Sequence, residues 1–383
     1  MKKHFRLISV VTVLLLLVTV ISGCGSSTSA SNSTNVAPAS STGSSAPAAS
    51  ADTGKKLNIG VVVPTLAQNF FVTYANFIKK GAAELGVNVT ILNADNKADA
   101  AIQDVQDLVS RGVDGLIYVP YWSTGRMALT ATQKANIPVV MNDTFPEGNI
   151  QPNGEFKNYL AFVGPDDETA GYNMAKTLFA AMKPAADGKK HIGVVVGTPG
   201  TSVAINRHKG LEKALAENPD VVVAGEVNGN FVQDTSQKVF EDLYQAHPEI
   251  KGVWAANGGT ATGVMAALKN AGKQPGKDVL VVGMDLNSEN VAAVKRGDML
   301  FDTGGHWLQG GIALVMLYDY LHGHDVAEQN RTLELPMIPV VQNTVDAFER
   351  TYPNGLPQYD FKAHSKVYNP SATDVLWALP DMK

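Results

Sequence analysis

Two hydrophobic rhythms alternate between residues 58 and 341. Short unbroken apolar runs, the first at 59–63 (IGVVV), give way to a polar loop and then to apolar residues spaced three and four apart. Unbroken runs mark strands buried on both faces, as in parallel sheets, and the wider spacing marks amphipathic helices. In the first unit Pro64 ends the run, and Val72, Ala75, Ile78, Ala82 and Leu85 form one stripe. Further strands are predicted at 87–92, 115–119, 138–141 and 160–163, with helices at 98–111 and 126–135 and a long polar loop at 144–158. A second series follows. It has helices at 169–182, 202–217, 234–246, 260–271, 287–295 and 307–321, strands at 191–196, 221–227, 252–255, 279–283 and 299–303, and a last extended piece at 332–341. Residues 342–383 are less regular, apart from a helical pattern at 345–350. Strands alternating with helices imply right-handed crossovers and parallel sheets, so the prediction is an α/β chain of two doubly wound lobes.

Composition narrows the partners. The chain has 383 residues, enough for two domains, with 45% apolar and 17% charged residues and a formal net charge of −5. Without a basic stripe, nucleic acid is not an expected partner. Residues 1–24 read as a targeting segment: Lys2, Lys3 and Arg6 precede an apolar stretch at 7–21, too short for a comfortable membrane span. It ends in Ile21-Ser22-Gly23-Cys24, which resembles a bacterial lipobox, so Cys24 is the expected lipidation site. Residues 25–54 are rich in Ser, Ala and Thr and are expected to form a disordered tether. The folded part is therefore expected outside the cell membrane, held there by the lipid anchor alone.

Enzyme signatures are missing. No G-x-G-x-x-G follows a strand, and neither a G-x-x-x-x-G-K-[ST] nor a G-x-S-x-G motif occurs. His322 and His324 read as surface histidines at a helix end, and the calcium-loop likeness of 93–99 fails at Lys97. No cofactor, metal or catalytic residue is expected.

Several stretches carry a family likeness together: VVVPTLAQNFFVTYANFIKKGAAELG, QDLVSRGVDGLIYVP, NIPVVMND, GTSVAINRHKG, AHPEIKGVWAANG and VVGMDLNSENVAAVKRGD. In this order and spacing the chain resembles the ribose- and galactose-type periplasmic sugar-binding proteins of ABC importers over residues 57 to about 341. The resemblance implies two Rossmann-like lobes joined by a three-crossover hinge, the first from 57–163 plus 306–338 and the second from 164–305 plus 339–383. It also implies that Phe70 and Phe71 supply ring surface, that Gln68 and Asp143 are polar groups of the first lobe, and that Arg207, Phe231, Asn257 and Asp285 come from the second. The physics suits a sugar, since rings cover its C–H faces while carboxylates and amides grip the hydroxyl edge. Each choice has a plainer rival. A strand-end aspartate also caps helices, Asn257 opens a Gly258-Gly259 turn, Phe71 has a core residue as its rival reading, and Arg207 a surface ion-pair residue.

Departures from the ribose-type pattern bear on the ligand. Thr144 stands where an arginine is expected after the first aspartate, Val119 stands where an asparagine is expected before the proline of strand three, with Tyr121 and Trp122 next, and Gly305, flanked by His306 and Trp307, occupies the hinge position of a glutamine. Trp122 and His306 are the candidate replacements. A hexose, deoxysugar, polyol or furanosyl signal molecule all stay open. The implied mechanism is closure of the lobes over a monosaccharide or related polyhydroxy compound, followed by docking of a monomer on an ABC permease. The alternative is a receptor feeding a sensor kinase or chemoreceptor.

Overall fold

The computed structural model describes residues 56–373, and Cys24, the targeting segment and the tether lie outside them. Two six-stranded sheets organise the chain. The first is built from β1 (Asn58–Val63), β2 (Asn88–Asn93), β3 (Gly115–Tyr118), β4 (Val139–Asn142), β5 (Tyr159–Pro165) and β11 (Thr332–Leu335). The second comprises β6 (Lys190–Val196), β7 (Val221–Asn228), β8 (Gly252–Ala255), β9 (Leu280–Asp285), β10 (Phe301–Gly304) and β12 (Ile338–Val340). Their orders, β11-β5-β4-β3-β1-β2 and β12-β10-β9-β8-β6-β7, are the same doubly wound arrangement used twice. In each, strand order reverses beside the first strand of the lobe, and the crevice beyond the strand ends at such a point is where this architecture takes ligands.

Burial explains the strands. Every residue of β3, β4, β5 and β8 is buried, as their unbroken apolar runs require, because helices cover both sheet faces. α1 (Asn69–Leu85), α2 (Ala98–Ser110), α3 (Gly125–Lys134) and α9 (Gln309–Leu321) serve the first sheet. α4 (Asp167–Ala181), α5 (Ser202–Ala216), α6 (Gln233–Ala246), α7 (Gly258–Asn270) and α8 (Ser288–Arg296) serve the second. Among the described residues no helix is long and apolar enough to cross a membrane.

Two features depart from expectation. The single extended piece at 332–341 is two strands, since Pro336 has no N–H to continue a ladder. β11 pairs parallel with β5, whereas β12 turns onto the other sheet and pairs antiparallel with β10, so that sheet is not wholly parallel. Pro339 fits there because β12 is an edge strand. The C-terminal segment also divides. α10 (Val345–Thr351) packs on α8, but α11 (Phe361–His364) packs on α1 and α9 of the first lobe. Assignment of the whole of 339–383 to the second lobe is corrected accordingly, because Phe361 finds its apolar pocket on the other side.

Candidate functional site

The carboxyl ends of the strands in both sheets face a shared cleft. Its inner chamber, about 20 Å3, is lined by Gln68, Phe70, Phe71, Tyr121, Asp143, Val203, Arg207, Phe231, Asn257, Asp285 and His306. An outer cavity of about 230 Å3 shares Gln68, Phe70, Phe231, Asn257 and Asp285 with it and adds Asn96, Asp234, Asn287 and Glu289. Nine of the ten sequence-derived residues thus surround one small volume. Trp122 is the exception: half-buried, it sits edge-on against Tyr121 at 5.6 Å, and Tyr121 reaches the chamber in its place.

On the first-lobe side, Phe70 stacks on His306 with centroids 4.5 Å apart and meets Phe71 edge-on at 5.0 Å. Phe71 is only 1% exposed and also abuts Tyr74 and Tyr121, so it serves core and chamber together. Asp143 is held from two directions. Tyr121 donates its hydroxyl to Oδ2 at 3.0 Å, Gln309 donates Nε2 to Oδ1 at 3.1 Å, and Asp143 returns its own N–H to Gln309 Oε1 at 2.8 Å. Its carboxylate is fixed before any ligand arrives, which is how a binding group avoids losing rotamer entropy on association.

The second-lobe side is centred on Arg207. This guanidinium is 2% exposed; Nε donates to Asp167 Oδ1 at 2.7 Å and Nη1 to the Ala256 carbonyl at 2.8 Å. Its flat face lies 5.6 Å from the Phe231 ring centroid. Arg207 is therefore an ion-pair residue, but a buried one. Close approach of α4 and α5 makes the pairing possible: a Cβ on Gly171 would stand 2.1 Å from the Arg207 carbonyl oxygen, and one on Gly210 would stand 2.1 Å from that of Glu168. Asp166 takes the capping role for α4, accepting from Thr169 N, which leaves Asp167 free to turn inward.

The plainer rivals are resolved individually. Asn257 is the cap of α7, with Oδ1 accepting from Thr260 N at 2.8 Å, while its amide also lines the chamber. Asp285 does not cap α8, a role held by Asn287; its Oδ2 accepts from Gly258 N at 2.9 Å and its Oδ1 lies 3.7 Å from His306 Nε2. Asp143, Phe231 and Asp285 have φ of 67°, 62° and 103°. Backbone strain of this kind gathers where side chains are aimed for function.

Electrostatically the chamber holds more acid than base. Burial pushes Asp285 up to about 6, with Arg207 and the Gly258 N–H pulling back and Asp143 adding to the rise. Burial likewise raises Asp167, against the pull of its ion-pair partner Arg207. Asp143 is raised for the same reason, opposed by Arg207, Gln309 and Tyr121. His306 is held well below its ordinary value by burial and then by Arg207, so it is neutral and adds no positive charge. One guanidinium therefore faces three carboxyl groups. A site rich in acceptors is completed by a guest that brings hydrogen-bond donors, and hydroxyl groups are such donors.

Sequence reasoning passed over Tyr121, Asp167 and Gln309. Gln309 had a visible signal, because it and Asp319 are the only buried polar side chains in a helix otherwise apolar on every face.

Comparisons with known proteins point to one family. Residues 59–325 match the family model described as periplasmic binding protein domain. The ribose import binding protein of Bacillus subtilis (strain 168) is 31% identical over 287 residues, covering 74% of this chain and 87% of that protein. The galactofuranose-binding protein of Escherichia coli (strain K12) is 28% identical over 215 residues, covering 55% of this chain and 65% of its own length. Among solved structures, a periplasmic sugar-binding protein from Pseudomonas fluorescens superposes with a TM-score of 0.72 at 26% identity, covering 82% of this chain and 95% of that one. Fold, cleft and sequence thus converge, and the chain belongs to the periplasmic binding protein domain family, in its ribose- and galactose-type branch.

Proposed function

We propose that this protein captures a neutral monosaccharide, or a closely related polyhydroxy compound, between its lobes and delivers it to an ABC importer. The observation that carries the reading is the meeting of Phe70 and Asp143 from one lobe with Arg207 and Asp285 from the other around one acceptor-rich chamber. A sugar ring needs more room than about 20 Å3, which suits a single water. Entry therefore requires the lobes to part, with the outer cavity as the route in. The closed form then gains contacts from both lobes at once, and that difference in affinity shifts the population toward closure. Phe70 and Phe231 cover ring faces, Asp143 and Asp285 accept from adjacent hydroxyls, and Arg207 donates to a hydroxyl or ring oxygen. The relatives that bind ribose and galactofuranose by name support the ligand class. Lipidation at Cys24 would keep a monomer close to its permease.

The test is a thermal-shift screen against pentoses, hexoses, deoxysugars, polyols and sugar acids. At 100 times Kd a ligand stabilises by about 2.7 kcal/mol, and each kcal/mol moves a domain of this size by roughly 2–4 °C. A neutral sugar or polyol is expected to shift melting by roughly 5–11 °C. Sugar acids are expected to leave it unchanged, because they add a carboxylate to a chamber already lined by Asp143 and Asp285. A shift with sugar acids and none with neutral compounds would overturn the reading.

A further inference from the structure

Beyond β12 the chain does not end on the lobe it has joined. It leaves the second sheet at Val340, forms α10 against α8, and crosses to the first lobe by Phe361. Both ends of this path are firmly seated. On the second lobe, Lys295 Nζ pairs with Asp346 at 3.0 Å and Glu349 at 2.7 Å, while Val345, Phe348 and Tyr352 are buried to 2% exposure or less. Beneath them, Tyr352 stacks on Phe348 at 4.9 Å.

On the first lobe the seat is shaped for its occupant. Phe361 is fully buried, 5.0 Å from the Phe77 ring. A Cβ on Gly81 of α1 would come within 2.5 Å of that ring, and one on Gly311 of α9 within 3.0 Å. Two glycines in adjoining helices therefore make the hollow that takes one side chain of the tail. Polar contacts fix the register. Glu84 Oε2 accepts from Phe361 N at 3.0 Å, and Asp319 accepts from Ser365 Oγ at 2.5 Å and Lys366 N at 2.9 Å. Asp319 is the second buried polar residue of the apolar α9, and holding the tail is what it does there.

We infer that residues 341–373 are a strap, a fourth covalent connection between the lobes that limits how far the cleft opens. The three hinge crossings permit rotation; a further tie seated on both lobes restricts its amplitude. α10 and the turn after it form one wall of an open cavity of about 550 Å3 whose other walls are Val72 and Thr73 of α1, Leu286 before α8 and Val291 of α8. Between its ends the strap also touches the first lobe, where Lys80 Nζ donates to the Pro357 carbonyl at 3.3 Å and Tyr359 meets Phe77 edge-on at 5.8 Å. It acts on the two-lobe cleft whatever guest the cleft takes, so it survives failure of the sugar assignment.

The test measures lobe separation directly. Spin labels go on Met127→Cys in the first lobe and Ile205→Cys in the second, both exposed positions, in the full chain with Cys24→Ser. Distances are recorded by electron–electron double resonance without added sugar for three proteins: the labelled parent, its Phe361→Ala variant, and a variant with a protease site inserted after Gly355 and then cleaved. Cleavage cuts the tie while leaving both seats intact, so it remains decisive even where Phe361→Ala fails to fold. The parent is expected to give one narrow, short distance, and the cleaved protein an added population at longer distance. Superimposable distributions for parent and cleaved protein would overturn the inference.

Discussion

Replacing Asp285 by Asn separates binding from stability in opposite directions. Burial raises this carboxyl from 3.8 to about 6, so in the folded protein it holds its proton through a range where the unfolded chain has lost it. The stabilisation that goes with the protonated form is present at low pH and lost as pH rises from about 4 through about 6. Above that window the buried carboxylate costs the fold about 3 kcal/mol. Asn has the same shape and keeps an oxygen for the Gly258 N–H, so the substitution should remove most of this cost without disturbing α7. At pH 8 the variant is expected to melt several degrees above the parent, while at pH 4 the two should nearly coincide. Sugar binding should move the other way. A charge-assisted bond becomes a neutral one, a loss of about 1 kcal/mol or more, which weakens affinity roughly five-fold to a hundred-fold. Differential scanning calorimetry across pH, with titration calorimetry of the sugar found in the screen, reads both quantities. A gain in stability that is equal at pH 4 and pH 8 would refute the electrostatic reasoning.

Other outcomes follow from the same geometry. Arg207→Ala leaves Asp167 buried beside an empty place and should cost about 3–5 kcal/mol in urea unfolding; adding Asp167→Asn should restore much of it. Tyr121→Phe strips one donor from Asp143 and should weaken sugar binding about ten-fold with little change in secondary structure by circular dichroism. Gly171→Ala forces α4 away from the Arg207 backbone and should destabilise by about 1–3 kcal/mol or more, read as a lower urea midpoint. Affinity itself should rise with pH through about 6 as Asp285 ionises, and Asp285→Asn should flatten that profile.

Much of the fold is legible because unbroken apolar runs admit few alternatives: β4 and β8 are short, wholly buried and bounded by turns. The placing of Asp143 and Asp285 at strand ends beside the cleft was legible for the same reason, since the apolar run before each tells where its strand stops. What escaped is what depends on the third dimension. Tyr121 and Trp122 are neighbours in sequence, and only the left-handed backbone at Trp122, with φ of 56°, decides which ring turns inward. Asp166 and Asp167 are equally plausible caps until the helix start assigns one to Thr169 and the other to Arg207. The tail's crossing to the first lobe was opaque because its anchor there, Phe361, has no periodic apolar neighbours, and its partners Gly81 and Gly311 look like ordinary helix glycines.

The position of the strand edges has a consequence for how the halves swing. β5 and β11 are neighbours at the rim of one sheet, and β10 and β12 at the rim of the other, so all three passages of the chain leave from adjacent places. Thr303 even bonds across two of them, donating its hydroxyl to the Ile338 carbonyl at 2.9 Å. Passages set side by side act like the spine of a book: the pages turn about one line and do not slide past each other. If the lobes open and close, such a spine would return Asp143 and Arg207 to the same facing positions.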